Sequence, residues 1–150
     1  MHVVLVAPEI PQNTGSIGRL CVATDSILHL VDPLGFVIDD RHLRRAGLDY
    51  WPHVRVVRHA NWPAFRAAHG PGRLVGFTAH SPRSYTQVTY RDDDTLVFGG
   101  ESRGLPAAVR SDLGAELYGI PMRSPHVRSL NLANAVGIVL YEALRQMGHA

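Results

Sequence analysis

An α/β fold, with a mostly parallel sheet and helices on both faces, is predicted by three features of this 150-residue chain. Short apolar runs rich in β-branched residues alternate with amphipathic stretches, the pattern of repeated strand–helix units. Several runs are closed by Gly, Pro or Asp-Pro, which stop a strand and turn the chain. Fourteen Gly and ten Pro are spread along the whole length and so mark tight turns, not a disordered tract. The length fits one domain over residues 1–150, and 45% apolar residues suffice for a core.

The elements follow in order. Val3 to Ala7 reads as a buried strand stopped by Pro8. Asn13 or Thr14 is placed to cap a helix running through Ile17, Leu20, Cys21 and Ala23. Ile27 to Val31 is a second strand, ended by Asp32-Pro33, and Asp39 or Asp40 caps a short basic helix holding Arg41, Arg44 and Arg45. Val54 to Val57 is a third strand; Trp62 to Ala68 is a helix broken by Gly70-Pro71-Gly72. Leu74 to Thr78, Thr95 to Phe98 and Tyr118 to Ile120 supply three more strands, with a helix over Leu105 to Leu113 and Pro106 in its first turn.

The last element runs from about Ser129 to Met147 and is apolar on two faces. One carries Leu130, Ala133, Gly137, Leu140, Leu144 and Met147; the other Leu132, Val136, Val139 and Ala143. Burial on two sides follows. One face can lie on the sheet; the other meets either a second copy of the chain or further elements of the same one.

Composition excludes several classes. The formal net charge is +2, and all 15 basic residues are Arg, whose planar forks suit phosphate. Cys21 stands alone, so no internal disulfide forms. Met1 to Ala7 is too short for a signal peptide and runs into Pro8 and Glu9; no stretch is long enough to cross a membrane. A cytoplasmic protein is expected. The nine His show no ligand spacing, so no metal is expected. No G-x-G-x-x-G follows the first strand and no P-loop occurs, which argues against a Rossmann oxidoreductase or a P-loop hydrolase.

Three polar turns at the ends of apolar runs stand out, because ligands of α/β proteins settle at such ends. The first is Asn13-Thr14-Gly15-Ser16-Ile17-Gly18-Arg19, after Pro8-Glu9-Ile10-Pro11. The second is Phe98-Gly99-Gly100-Glu101-Ser102-Arg103-Gly104-Leu105. The third is Ile120-Pro121-Met122 followed by Ser129-Leu130-Asn131-Leu132-Ala133-Asn134-Ala135. In this order they resemble the three motifs of the SPOUT methyltransferase superfamily. With Pro8 to Pro11, the run Leu43-Arg44-Arg45-Ala46-Gly47-Leu48-Asp49-Tyr50 makes the chain most similar to the small tRNA (cytidine(34)-2′-O)-methyltransferase group, the TrmL type. The similarity covers essentially the whole chain.

The resemblance implies a C-terminal trefoil knot, an exception to the unknotted rule. It also implies an S-adenosylmethionine pocket within that knot, and a homodimer joined through the last helix and the first-motif helix. It implies methylation of the ribose 2′-hydroxyl of the wobble nucleotide 34 in the anticodon stem-loop of tRNA. The alternatives are the same transfer to another RNA such as rRNA, an RNA-binding dimer without catalysis, and a nucleotide-sensing dimer without RNA. The cofactor contacts implied are Phe77, Gly99, Gly104, Ile120, Met122, Ser129 and Leu130, largely through backbone groups.

For catalysis the resemblance points to Arg19, with Glu101, Asn131 and Tyr141 beside it. A guanidinium gives up its proton at pH 7 only at roughly 9 kcal/mol, so a charged arginine that orients the hydroxyl and stabilises the forming alkoxide is the easier role. A surface helix arginine is the plain alternative. Glu101 is read as an orienting group, although it could pair with Arg103 or Arg19. Asn131 either fixes the third loop or caps its helix, and Tyr141 serves either the site or packing. Arg41, Arg44, Arg45 and Arg103 are the candidates for RNA phosphates, with Arg55 and Arg58 as extensions and Tyr50 or Trp51 as a base-stacking surface. Two departures from the family pattern appear. Gly100 stands where many relatives have Pro, predicting a looser turn. Gly18 stands where they have a bulkier aliphatic, at about 0.5–1 kcal/mol against Ala in a helix.

Overall fold

Val3 and Leu5 leave one side of the first strand and Val4 and Val6 the other, so His2–Val6 (β1) is covered on both faces. The same alternation recurs along Ile27–Val31 (β2), Leu74–Phe77 (β4) and Thr95–Gly99 (β5). Val56–His59 (β3) and Leu117–Tyr118 (β6) complete a sheet of order β3-β2-β1-β5-β4-β6, and every pairing in it is parallel. The structure is a computed structural model and describes residues 1–38 and 49–149. The predicted basic helix with Arg41, Arg44 and Arg45 lies outside the described residues.

Helices cover both faces, as expected. Pro11–Ala23 (α1) and Leu132–Gln146 (α4) lie side by side on the face that holds Val3, Leu5, Leu28, Leu96 and Phe98. Trp62–His69 (α2) and Ala107–Leu113 (α3) pack through Phe65, Val109 and Leu113 on the face of Val4, Val6, Val31 and Val97. Asn61 caps α2 by accepting the Ala64 amide at 2.8 Å, and Gly70 at φ 71° ends it.

Most boundaries shift by a residue or more from the sequence reading; α3 begins at Ala107, with Pro106 as its N-cap and not in its first turn. α1 begins at Pro11, two residues before the expected caps, and neither Asn13 nor Thr14 caps it. Proline suits a first turn, where its missing N–H costs nothing. β3 begins at Val56, not Val54, because Trp51–His53 forms a single 3-10 turn ahead of it. β6 stops at Tyr118, and a lone parallel bridge from Gly119 to Ser84 extends it.

The two apolar faces of α4 are both used within the chain. Leu132, Val136, Val139 and Ala143 are buried against the sheet together with Leu140. Ala133 and Met147 are half-buried against the same core, and Gly137 faces Leu20 of α1. The exposed apolar residues are Ile138 at 38% and Tyr141 at 46%, which belong to neither expected face, and Leu130, which was expected on the first face but lies before the helix and is 37% exposed.

Candidate functional site

At the C-terminal ends of β4 and β5 a cavity of about 440 Å³ opens, the end at which open parallel sheets take ligands. All three polar turns reach it. Phe77, Gly99, Gly104, Ile120, Met122, Ser129 and Leu130 line it, as do Glu101, Arg103 and Asn131. The expected cofactor residues, which are distant in sequence, therefore share one wall. Arg19 and Tyr141 do not line this cavity. Arg19 is exposed on α1 with its guanidinium 5.5 Å from the centre of the Tyr50 ring, and Tyr141 is exposed on α4. Arg41, Arg44 and Arg45 lie outside the described residues.

Glu101 joins the turns. Its carboxylate accepts the amide of Glu9 at 2.6 Å, the amide of Ile10 at 3.1 Å and the Asn13 side-chain amide at 3.2 Å. These donors open α1, which carries no side-chain cap of its own, so a carboxylate 91 residues away in sequence does the capping. Asn13 passes the link on: its Oδ1 accepts from the Asn131 side chain at 2.9 Å, while Asn131 Oδ1 accepts the Asn134 amide and caps α4. Asn131 thus caps α4 and ties its start to Asn13. Glu101 pairs with neither Arg19 nor Arg103 among the described residues.

A second clasp runs the other way. Glu9 accepts the Ser102 hydroxyl at 2.7 and 2.8 Å and the Ser102 amide at 3.1 Å, and these bonds hold its carboxyl below the usual carboxylate range. Between the clasps the second turn is tight. A β-carbon at Gly99 would overlap the backbone of Gly104 and Leu105, and one at Gly100 would press on the Ala7 carbonyl. The Gly104 amide closes this turn onto the Gly100 carbonyl at 2.9 Å.

Other candidates have partners within the chain. Arg55 pairs with Asp25 at 2.7 Å and Arg58 with Asp32 at 2.8 Å. Tyr50 donates to the Gly15 carbonyl at 2.8 Å, and the Trp51 ring lies over Gly18, so both aromatics pack on α1. Sequence reasoning named Asn13 only as a local cap, and it missed Thr78, His80, Arg110 and Arg128 on the cavity wall. The polar run His80 to Ser84, just past the expected fourth strand, was the available signal for His80.

Known proteins fit this arrangement. A model of the SpoU rRNA methylase family matches residues 1–141. The chain belongs to that family. It is 49% identical over 150 residues to a tRNA (cytidine(34)-2′-O)-methyltransferase of Escherichia coli K12, covering 99% of this chain and 95% of the relative. A solved structure described as giving insights into the 2′-OH methylation of C/U34 on tRNA superposes with a TM-score of 0.92 at 46% identity. That match covers 99% of this chain and 97% of the other. The SpoU methyltransferase AviRb from Streptomyces viridochromogenes, solved in complex with AdoMet, superposes with a TM-score of 0.80 at 31% identity, over 98% of this chain and 57% of its own. The methyltransferase assignment of this chain is that of its family.

Proposed function

We propose that this SpoU-family chain methylates the ribose 2′-hydroxyl of nucleotide 34 of tRNA, cytidine or uridine, with S-adenosylmethionine as donor. The observation that carries the reading is the Glu101–Asn13–Asn131 link, which draws all three motif turns onto one cavity. The cavity fits the donor. Phe77, Ile120, Met122 and Leu130 offer apolar surface, and at Gly99 and Gly104 the wall is backbone alone. Ser129 adds a hydroxyl. When bound, S-adenosylmethionine supplies a methyl group on a positively charged sulfur.

The chain's own groups then have defined work. Glu101 acts as a positioning residue, since its oxygens are filled by the α1 entrance and Asn13. Asn131 fixes the start of α4 and with it Ser129 and Leu130. A charged Arg19 orients the 2′-hydroxyl and stabilises its developing negative charge. Within its own chain Arg19 lies outside the cavity, so a second copy is the proposed source.

That second copy has a place to sit. Of the eight large apolar residues exposed among those described, Ile10, Val22, Leu130, Ile138 and Tyr141 belong to the α1–α4 side. Arg19 and Tyr141 share that side, so a homodimer built across it would carry both toward a neighbouring cavity. We further read residues 1–150 as one domain with the C-terminal trefoil knot of the SPOUT fold, acting in the cytoplasm without a metal. Arg41, Arg44, Arg45 and Arg103 remain the proposed contacts to the anticodon stem-loop.

The test is product identification. The purified protein is incubated with unmodified tRNA, rRNA fragments and labelled S-adenosylmethionine, and the digested nucleosides are separated. Label in 2′-O-methylcytidine or 2′-O-methyluridine from position 34 is the expected result. Label confined to rRNA moves the target, and label in a base contradicts the ribose chemistry.

A further inference from the structure

Past Thr78, His80 and Arg110 the cavity continues into a second groove of about 400 Å³, which Arg83 also lines. Charge around the two spaces is unbalanced. Arg103, Arg110 and Arg128 line the cavity, and Arg83 with Arg110 the groove. Among the described residues none of these four is ion-paired. The five arginines that are, Arg55, Arg58, Arg66, Arg73 and Arg145, line neither space. Among the described residues Glu101 is the lone carboxylate on either wall, and its oxygens are already occupied.

Arg83 is held in place. Its guanidinium lies 4.1 Å from the centre of the Tyr118 ring and donates to the Tyr118 hydroxyl and the Ala115 carbonyl. Arg110 stands opposite on the exposed side of α3, shared by both spaces. The methyl donor deepens the imbalance, because it carries a sulfonium and an ammonium against one carboxylate. A phosphate that enters with the other substrate meets four exposed guanidiniums here and, among the described residues, no carboxylate free to compete for them. RNA brings phosphodiesters, and a planar guanidinium fork matches their oxygens.

We propose that the groove between Arg83 and Arg110 is a subsite for a backbone phosphate of the RNA strand whose ribose is methylated. This rests on the ribose-methylation reading above. The test uses Arg110→Ala, whose side chain makes no ion pair to lose, with Arg91→Ala as a charge-matched control that lines neither space. Binding of a fluorescent anticodon stem-loop RNA is measured across a salt series, and S-adenosylmethionine affinity is measured by calorimetry in parallel.

For Arg110→Ala, RNA affinity falls about tenfold, the salt slope shallows by about 0.7–1, and donor affinity is retained. Arg110→Lys keeps the salt slope, and Arg91→Ala changes little. Unchanged RNA affinity and slope in Arg110→Ala would overturn the subsite while leaving a methylating wild type untouched. Loss of donor affinity with RNA binding intact would assign Arg110 to the donor's carboxylate and also overturn it. An equal loss in Arg91→Ala would reduce the effect to the general field of the protein. A wild type that binds no RNA removes the ribose-methylation reading and this proposal with it.

Discussion

Glu101 shows how much one side chain can organise. It satisfies two backbone amides and one side-chain amide at once, at a helix entrance with no local cap. Glu101→Ala leaves those donors without their acceptor and is expected to cost about 1–3 kcal/mol in denaturant unfolding. Glu101→Gln, which keeps one acceptor oxygen, should recover part of that. Gly18 tests a competition of effects. Helix propensity alone favours Gly18→Ala by about 0.5–1 kcal/mol, but the new β-carbon would stand 2.7 Å from the Trp51 ring. Overpacking of about 1–3 kcal/mol wins, so the melting temperature should fall. A rise would show that Trp51 yields freely.

At the scale of elements, α4 divides its residues sharply. Val139 is fully buried on the sheet, whereas Ile138 beside it is 38% exposed. Val139→Asp should unfold the protein. If the proposed homodimer closes over this side of α4, Ile138→Asp should leave the chain folded by circular dichroism while light scattering reads monomer where the wild type reads dimer; a dimer that survives it would move the interface elsewhere. The opposite face of the sheet carries a different device. His2 Nδ1 and His29 Nε2 are 2.8 Å apart, and His29 Nδ1 and His59 Nε2 are 3.0 Å apart, beneath Phe65. In the neutral row His29 donates through one nitrogen and accepts through the other. Burial, then the neighbouring imidazoles, push His29 down to about 4. Burial lowers His2, His59 and His69 as well, with the N-terminus and Arg55 adding to it at His2 and Arg66 at His69.

The sign of the resulting pH dependence follows. Between about pH 6.5 and pH 4 the unfolded chain binds more protons than the folded one, so stability falls as pH falls through that window. Above about pH 7 both states are neutral and the effect vanishes. His29→Gln should flatten the dependence by on the order of 2 kcal/mol across the window, read from unfolding midpoints. An unchanged slope would place the titrating groups elsewhere.

For the whole molecule, the strands were legible because they are local, and apolar alternation gave the buried runs. The cavity wall was legible through the family resemblance, whose motif turns pointed to Gly99, Ile120 and Ser129, residues distant in sequence that do converge. What the sequence hid was long-range. The cap of α1 comes from Glu101 across the fold, so Asn13 and Thr14 misled as local caps. The two apolar faces of α4 were real, yet within the helix α1 and the sheet consume both, and the exposed Ile138 and Tyr141 belong to neither.

Arg19 belongs to this scale also. If a second copy supplies it, mixing Arg19→Ala with a variant blocked in the cavity, such as Ile120→Glu, should restore about a quarter of wild-type turnover through mixed dimers. A mixture with no activity, despite mixed dimers by native mass spectrometry, would return Arg19 to its own chain.

The most direct measurement compares two anticodon stem-loops that differ only in the sugar of nucleotide 34. Methyl transfer from labelled S-adenosylmethionine should reach the RNA with ribose there and fail with the 2′-deoxy version, at comparable affinity for both. Equal labelling of the two, or none of either while the donor binds, would contradict the account.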